Sequence, residues 1–170
     1  MKHNNPHNLI ALALLSMTLA VIPVAAQHSM PGMTMDPAFA KREREVMPFN
    51  LEATLHTFKN SSDGGTELVT AKNSKDSKNV KLIRSHLIKE SKKFARGDFS
   101  DPAYLHGKDM PGLAQVSAGA KAGQIKITYS RLPTGAQLRY VTTDAKLVSA
   151  MHVWFDAQVN QHGKHATMGK

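Results

Sequence analysis

Residues 51–71, LEATLHTFKNSSDGGTELVTA, contain two segments of alternating side chains separated by the polar sequence SSDGG at 61–65. In the first segment Leu51, Ala53 and Leu55 alternate with a second set that includes His56. A period of two is typical of a half-buried strand, and a short glycine-containing stretch between two such strands is typical of a turn. The stretch therefore predicts a β-hairpin.

A long helix is predicted to follow this hairpin, over residues 75–96. Polar side chains suited to helix capping precede it, and Val80, Ile83, Leu87 and Phe94 recur at helical spacing. Gly97 follows the last of them and is a suitable helix terminator. The first half of the domain is therefore a ββα unit.

The same order of elements recurs in the second half. Residues 124–130 alternate, LPTG at 132–135 indicates a turn, residues 136–142 return as a strand, and an apolar stripe from Leu147 to Val159 indicates a helix. A duplication and two independently similar units remain alternatives. Because each hairpin needs its apolar face covered, we predict an α+β fold: two ββα units forming a four-stranded antiparallel sheet with two long helices on one face.

The amino-terminal residues have the features of an export signal. Lys2 precedes an apolar run over residues 9–24, and the small residues VAA at 24–26 suit cleavage. The run is short for a membrane-spanning helix. We therefore predict a periplasmic protein without a membrane span after cleavage, organised as a signal peptide (1–26), a flexible Met-rich arm (27–46), an α+β domain (47–161) and a flexible tail (162–170).

The composition excludes several kinds of chemistry. The chain has no Cys, which rules out disulfides, thiolate metal sites and cysteine nucleophiles. Its 22 Lys and Arg against 13 Asp and Glu give a formal net charge of +9. The basic residues are scattered and are not interleaved with aromatic residues, so we expect no nucleic-acid partner.

The arm carries a dense group of soft metal ligands. His28, Met30, Met33 and Met35 fall within the sequence HSMPGMTM at 28–35. Thioethers select Cu(I) and bind it without losing a proton. The segment resembles the Met-rich motifs of periplasmic copper-resistance proteins, and a simple spacer behind the signal peptide is the alternative.

A second group of ligands is predicted inside the domain. His86 and His152 occupy matching points on the two long predicted helices, and an antiparallel packing of those helices would let the two imidazoles face each other. His106 and Met110, in the connector at 97–123, can supply the remaining ligands. The alternative is that each His is half-buried and hydrogen-bonded at the boundary between helix and sheet.

Three further histidines are assigned no role. His56 is expected to face solvent from the first strand, and His162 and His165 are expected to be solvated in the tail. No catalytic triad and no glycine-rich phosphate loop is present in the sequence. An enzyme is therefore the third hypothesis, behind a metal-binding protein and a non-metal adaptor.

Five short motifs occur in a characteristic order: MPF at 47–49, LIRSHL at 82–87, GDFSDP at 97–102, HGKDMPGL at 106–113 and HVWFDAQ at 152–158. This order resembles a family of small exported bacterial proteins often labelled aspartate carbamoyltransferase, over residues 47–162. That label implies an enzyme with two α/β domains, about twice this length, and a phosphate-binding Ser-Thr-Arg-Thr loop. None of these features is present in the sequence, so we treat the label as a misnomer and do not expect that activity.

The sequence therefore predicts a periplasmic metal-binding protein that buffers copper, delivers it or confers resistance to it. Its expected partners are a copper ion and a periplasmic or membrane copper-handling protein. The alternative is a non-metal binding or adaptor module that contacts a partner protein through the connector at 97–123.

Overall fold

The computed structural model describes residues 36–170, which form five α-helices and a five-stranded sheet. The helices are α1 (Pro37–Val46), α2 (Ser77–Phe94), α3 (Ser100–His106), α4 (Leu113–Lys121) and α5 (Ala145–His162). The strands are β1 (Thr54–Ser61), β2 (Gly64–Ala71), β3 (Lys126–Leu132), β4 (Gly135–Val141) and β5 (Ala166–Met168), and 3-10 turns lie at Leu51–Ala53 and Gly163–His165. Within this part of the chain no helix is long and apolar enough to cross a bilayer.

The two predicted hairpins form, and they join through their second strands. β1 pairs with β2, β3 pairs with β4, and β2 pairs with β4, all antiparallel. The sheet order is β3-β4-β2-β1-β5. The α+β class is therefore confirmed, and the first four strands have the predicted antiparallel arrangement.

The prediction was wrong about the edge of the sheet. β5 pairs in parallel with β1, with His56 opposite Ala166, so the sheet has five strands and is mixed. Residues 162–170, expected as a flexible tail, instead form the end of α5, a 3-10 turn and β5. The physical reason is that β1 leaves an open edge, whose backbone groups gain hydrogen-bond partners from the returning chain, including Gly169 N–H to the carbonyl of Phe58 at 2.7 Å.

Both long helices pack on one face of the sheet. In β2 the side chains of Glu67, Val69 and Ala71 are buried, whereas the alternate residues are only partly covered. α2 lies mainly across β3 and β4, and α5 lies across β1, β2 and β5. Each helix therefore covers the hairpin of the other ββα unit, which ties the two halves into one core.

Part of the predicted arm is helical. Residues 37–46 form α1, whose first turn is capped by Asp36, and residues 1–35, which include the predicted signal peptide, lie outside the described residues. α1 buries Phe39 and Glu43 and is joined to α3 by a hydrogen bond from Arg42 Nε to the carbonyl of Leu105. The burial of these two side chains holds α1 against the domain.

The connector at 97–123 belongs to the core. Its two short helices, α3 and α4, bury Leu105, Leu113 and Val116. Gly112 initiates α4 with a φ of +78°, and a Cβ at this position would lie 2.1 Å from the carbonyl oxygen of Ala150. This close approach of α4 to α5 therefore requires glycine.

Candidate functional site

A small cleft lies between α2, α3, α5 and the covered face of the sheet. Its volume is about 40 Å³, enough for an ion or a few water molecules. Four histidines line it, together with three carboxyl groups; we call it the histidine cleft. The histidines are His56, His86, His106 and His162, and the carboxyl groups are those of Glu67, Glu90 and Asp101.

Polar side chains reach the cleft because they replace apolar residues in the helical pattern. His86 and Glu90 lie one turn apart on α2, and Trp154, Gln158 and His162 lie at successive turns of α5. Residues four apart share one face of a helix. Each helix therefore presents a buried polar stripe to the cleft, and departures of this kind from the apolar pattern are expected at functional sites.

Three of the histidines are in mutual contact, and we call them the imidazole trio. The rings of His56 and His162 stack, with centroids 5.3 Å apart and planes inclined by 3°. His106 meets His162 edge to face, with centroids 4.7 Å apart. β1, α3 and α5 thus bring one imidazole each to the same place.

Two rings of the trio have one nitrogen held by an oxygen. His162 Nδ1 lies 2.8 Å from Glu43 Oε1, and His106 Nδ1 lies 2.8 Å from Gln161 Oε1. A carboxylate or an amide oxygen accepts the hydrogen bond, so Nδ1 carries the proton in both rings. The nitrogen left for a ligand is therefore Nε2.

The third ring, His56, has an unpaired nitrogen. Burial holds its pKa well below the usual value. Nδ1 is buried and has no hydrogen-bond partner in residues 36–170. This nitrogen is therefore free to meet a ligand.

Burial keeps the other cleft imidazoles neutral as well. It lowers the pKa of His86 to about 4, and it lowers the pKa of His106 to about 3, with the neighbouring His162 adding to the effect. Neutral imidazole is the form that binds metals. Lone pairs are therefore available at physiological pH without the loss of a proton.

Two of the three carboxyl groups of the cleft have a raised pKa. Burial raises the pKa of Glu67 to about 7, although Tyr140 Oη donates to it at 3.0 Å. Burial also raises the pKa of Glu90 to about 8, and a hydrogen bond with Asp101 contributes to that rise. The pKa of Asp101 is lowered, because hydrogen bonds with Lys93 and Glu90 outweigh its burial. At neutral pH Glu90 therefore retains its proton, and Asp101 is ionised.

Three buried polar atoms of the cleft residues lack a hydrogen-bond partner within residues 36–170. They are His56 Nδ1, Trp154 Nε1 and Gln158 Nε2. Leaving a buried donor or acceptor unpaired costs about 1–3 kcal/mol. Their concentration in one cleft marks it as the place where a small polar ligand would be stabilised.

The trio does not form a finished metal centre. Among residues 36–170 no three His, Asp or Glu side chains are placed so that they could hold one metal ion. The stacking of His56 on His162 explains part of this, because parallel rings do not direct their nitrogens at one point. Ligation by the trio therefore requires rotation of at least one ring.

The structure brings only part of the predicted domain site together. His86 and His106 line the cleft, whereas His152 and Met110 do not. His152 Nε2 lies 3.1 and 2.9 Å from the carbonyl oxygens of Ser61 and Gly64, so its ring N–H is used to hold the β1–β2 turn. The reason is helical phase, since a residue two before Trp154 lies about 200° away around α5.

Met110 lies instead in the apolar core, where it is 5% exposed. The predicted arm ligands His28, Met30, Met33 and Met35 lie outside the described residues.

Sequence reasoning missed three cleft features that had a detectable signal. His56 shares its period-two face with Phe58, which is fully buried. His162 continues the stripe from Phe155 at helical spacing. Glu43 follows an Asp-Pro pair, the signature of a helix start, at 36–37.

Comparison of the chain with protein-family models, with curated proteins and with solved structures finds no match. The function is therefore inferred from the residues and their geometry.

Proposed function

We propose that the chain binds a transition-metal ion in the histidine cleft, with copper as the favoured ion, and that it buffers or delivers this ion. One observation carries the proposal: His106 and His162 each have Nδ1 held by a protein oxygen, which leaves Nε2 free, and His56 has a buried Nδ1 without a partner in residues 36–170.

This pattern is characteristic of metal-binding histidines. Such histidines almost always donate the second ring N–H to a carboxylate, a carbonyl or a water, which fixes the tautomer and the ring orientation. Here the acceptors are Glu43 for His162 and Gln161 for His106. The orienting groups are thus already in place, and ring rotation is the movement that binding requires.

The donor set favours copper over a hard cation. Imidazole suits copper, zinc, iron and nickel, whereas magnesium and calcium prefer oxygen ligands. His86 offers a fourth imidazole, and Met47 also lines the cleft with a thioether side chain. A mixed nitrogen and sulfur set supports copper in both oxidation states.

Two further parts of the proposal concern the amino-terminal residues. His28, Met30, Met33 and Met35 form an independent Cu(I) site on the arm, and residues 1–26 direct export to the periplasm. Mass spectrometry of the protein purified from the periplasmic fraction tests the second statement. A mass starting at Gln27 is expected, and a chain retained in the cytoplasm with its first residues intact would contradict it.

Calorimetric titration tests the cleft, with Cu(II) and Zn(II) added directly and Cu(I) measured against a chromophoric chelator. The arm ligands are first removed by His28→Ala with Met→Leu at 30, 33 and 35. In that background His106→Ala and His162→Ala should each weaken copper binding at least about 100-fold, as loss of a primary ligand does when second-sphere changes alone cost 10–100-fold.

His152→Ala is the matched control, because this residue is also a helical histidine with an engaged nitrogen but lies away from the cleft. It should leave affinity within about 3-fold of the background, and near-ultraviolet circular dichroism checks that each variant is folded. Absence of binding tighter than about micromolar, roughly −8 kcal/mol, in the background protein would overturn the proposal.

The alternative, an adaptor that contacts its partner through the connector at 97–123, has less to support it. The larger apolar side chains of this segment, including Phe99, Leu105 and Leu113, are buried in the protein's own core. Only Tyr104 remains largely exposed, and its hydroxyl is hydrogen-bonded to Glu45.

A further inference from the structure

The outer surface of α2 carries a single-sign row of charges. Four exposed lysines point away from the core, and we call them, together with Arg96 in the turn that follows the helix, the basic stripe. At 100° and 1.5 Å per residue, the lysines fall within an arc of about 80° and span roughly 21 Å. The stripe consists of Lys78, Lys81, Lys89, Lys92 and Arg96.

The stripe makes no close ion pair within the described part of the chain. None of its five residues takes part in an ion pair found in residues 36–170, and the carboxylates of Asp76 and Asp98 act only on its two ends, at Lys78 and Arg96. The contrast with Lys93 is direct, because that residue lies next to the stripe but turns inward to Asp101 at 2.7 Å. The carboxyl of Glu90, the one acidic residue of α2, is buried in the cleft.

Part of the stripe is unfavourable for the helix itself. Lys78 and Lys81 lie in the first two turns, where the helix dipole disfavours cations, although Asp76 caps the same end. Lys78 with Lys81, and Lys89 with Lys92, are like charges three residues apart, which repel. Lys92 lies in the last turn, where the dipole favours it, so the stability of α2 does not explain the row as a whole.

We propose that the basic stripe docks the protein on the surface of an anionic phospholipid bilayer. A straight row of flexible lysines matches a diffuse layer of headgroup phosphates, and each basic residue near such a surface contributes to adsorption. Apart from lysine, the exposed residue between Lys78 and Lys92 is Ser85, so the stripe offers no aromatic ring for stacking nucleic-acid bases.

The docking is electrostatic and does not involve insertion. The apolar side of α2, with Val80, Ile83 and Leu87, is buried against the sheet and is not available to the lipid. Adsorption should therefore be reversible and should weaken as salt screens the charges. This inference is independent of the metal proposal, because the stripe lies on the outer side of the helix whose inner side lines the cleft.

Vesicle co-sedimentation of the purified protein tests the inference. At 50 mM NaCl we expect partition onto vesicles of phosphatidylcholine with 30% phosphatidylglycerol to exceed partition onto phosphatidylcholine alone by at least about 10-fold. At 300 mM NaCl this preference should largely disappear. A protein that ignores the anionic vesicles at 50 mM NaCl would overturn the proposal, including one that binds duplex DNA or polyglutamate instead.

Two variants with equal net charge separate the stripe from general basicity. The stripe variant carries Lys→Gln at 78, 81, 89 and 92. The control carries Lys→Gln at 59, 108, 121 and 126, which are also exposed and make no ion pair found in residues 36–170. The stripe variant should lose about 50-fold in partition and the control less than about 5-fold. Equal losses in two folded variants would show that net charge alone is responsible and would contradict the proposal.

Discussion

Replacement of Glu43 by Ala should destabilise the protein strongly, because this carboxyl group is 1% exposed and joins α1 to the end of α5. His162 Nδ1 donates to it at 2.8 Å, and His165 Nδ1 lies 3.9 Å from the same oxygen. Loss of the hydrogen bond costs about 0.5–1.5 kcal/mol, and the stranded donor costs about 1–3 kcal/mol more. The expected loss in unfolding free energy is therefore about 1.5–4.5 kcal/mol.

Urea unfolding of the parent and of Glu43→Ala measures this loss, and Glu45→Ala is the matched control. Glu45 lies on the same helix, but its side chain is 43% exposed. Exposed ion pairs contribute about 0–1 kcal/mol, so the control should lose no more than that. If Glu43→Ala and Glu45→Ala unfold with the same free energy, α1 is not held by the buried pair.

A double-mutant cycle with His162→Ala isolates the pair, with an expected coupling of about 1–3 kcal/mol. Glu43→Gln provides the functional readout, because the amide oxygen still accepts from His162 but carries no charge. Metal affinity should fall about 10–100-fold in Glu43→Gln, as is usual when a group that orients a ligand is changed. Unchanged affinity would separate Glu43 from the metal site.

Three other predictions concern pH and packing. The folded-state pKa of Glu67 is raised from 4.5 to about 7, so its contribution to stability is lost as pH rises. In urea unfolding between pH 5 and pH 8, the parent should lose about 2–3 kcal/mol more than Glu67→Gln. Parallel pH curves for the two proteins would refute this. The pKa values of His86 and His106 are lowered to about 4 and 3, so the parent should lose stability as pH falls below 6.5, and Asn at both positions should flatten that loss. Gly112→Ala should lower the thermal midpoint well beyond Gly107→Ala, since both glycines have positive φ but a Cβ meets another helix only at 112; similar midpoints would argue against the close α4–α5 contact.

The regular elements were predictable from the sequence because their periods are long. Eight-residue strands such as β1 and β2 repeat the alternation several times, and the apolar residues of α2 recur over five turns. The predicted helix at 75–96 therefore differs from Ser77–Phe94 only at its ends. The same patterns predicted that the two long helices cover both hairpins from one side, because only one face of each hairpin is apolar.

The histidine cleft was less predictable because it depends on contacts between distant segments. β5 has only three residues, too few to show an alternation, and its pairing with β1 decides where His165 lies. The cleft also joins Glu43 to His162, which are 119 residues apart in sequence. His152 was assigned to the site because its neighbours share the helical stripe. It lies two residues before Trp154, however, and therefore faces the β1–β2 turn.

The most direct test of the metal site is nuclear magnetic resonance of the histidine ring nitrogens during titration with Zn(II) or Cu(I), in the protein without arm ligands. Binding should shift the Nε2 signals of His106 and His162 and the Nδ1 signal of His56, because these nitrogens make no hydrogen bond found in residues 36–170. His152 should not respond, since its Nε2 donates to backbone carbonyls. Shifts confined to His152, or no shift in any ring of the trio at saturating metal, would contradict the proposed site.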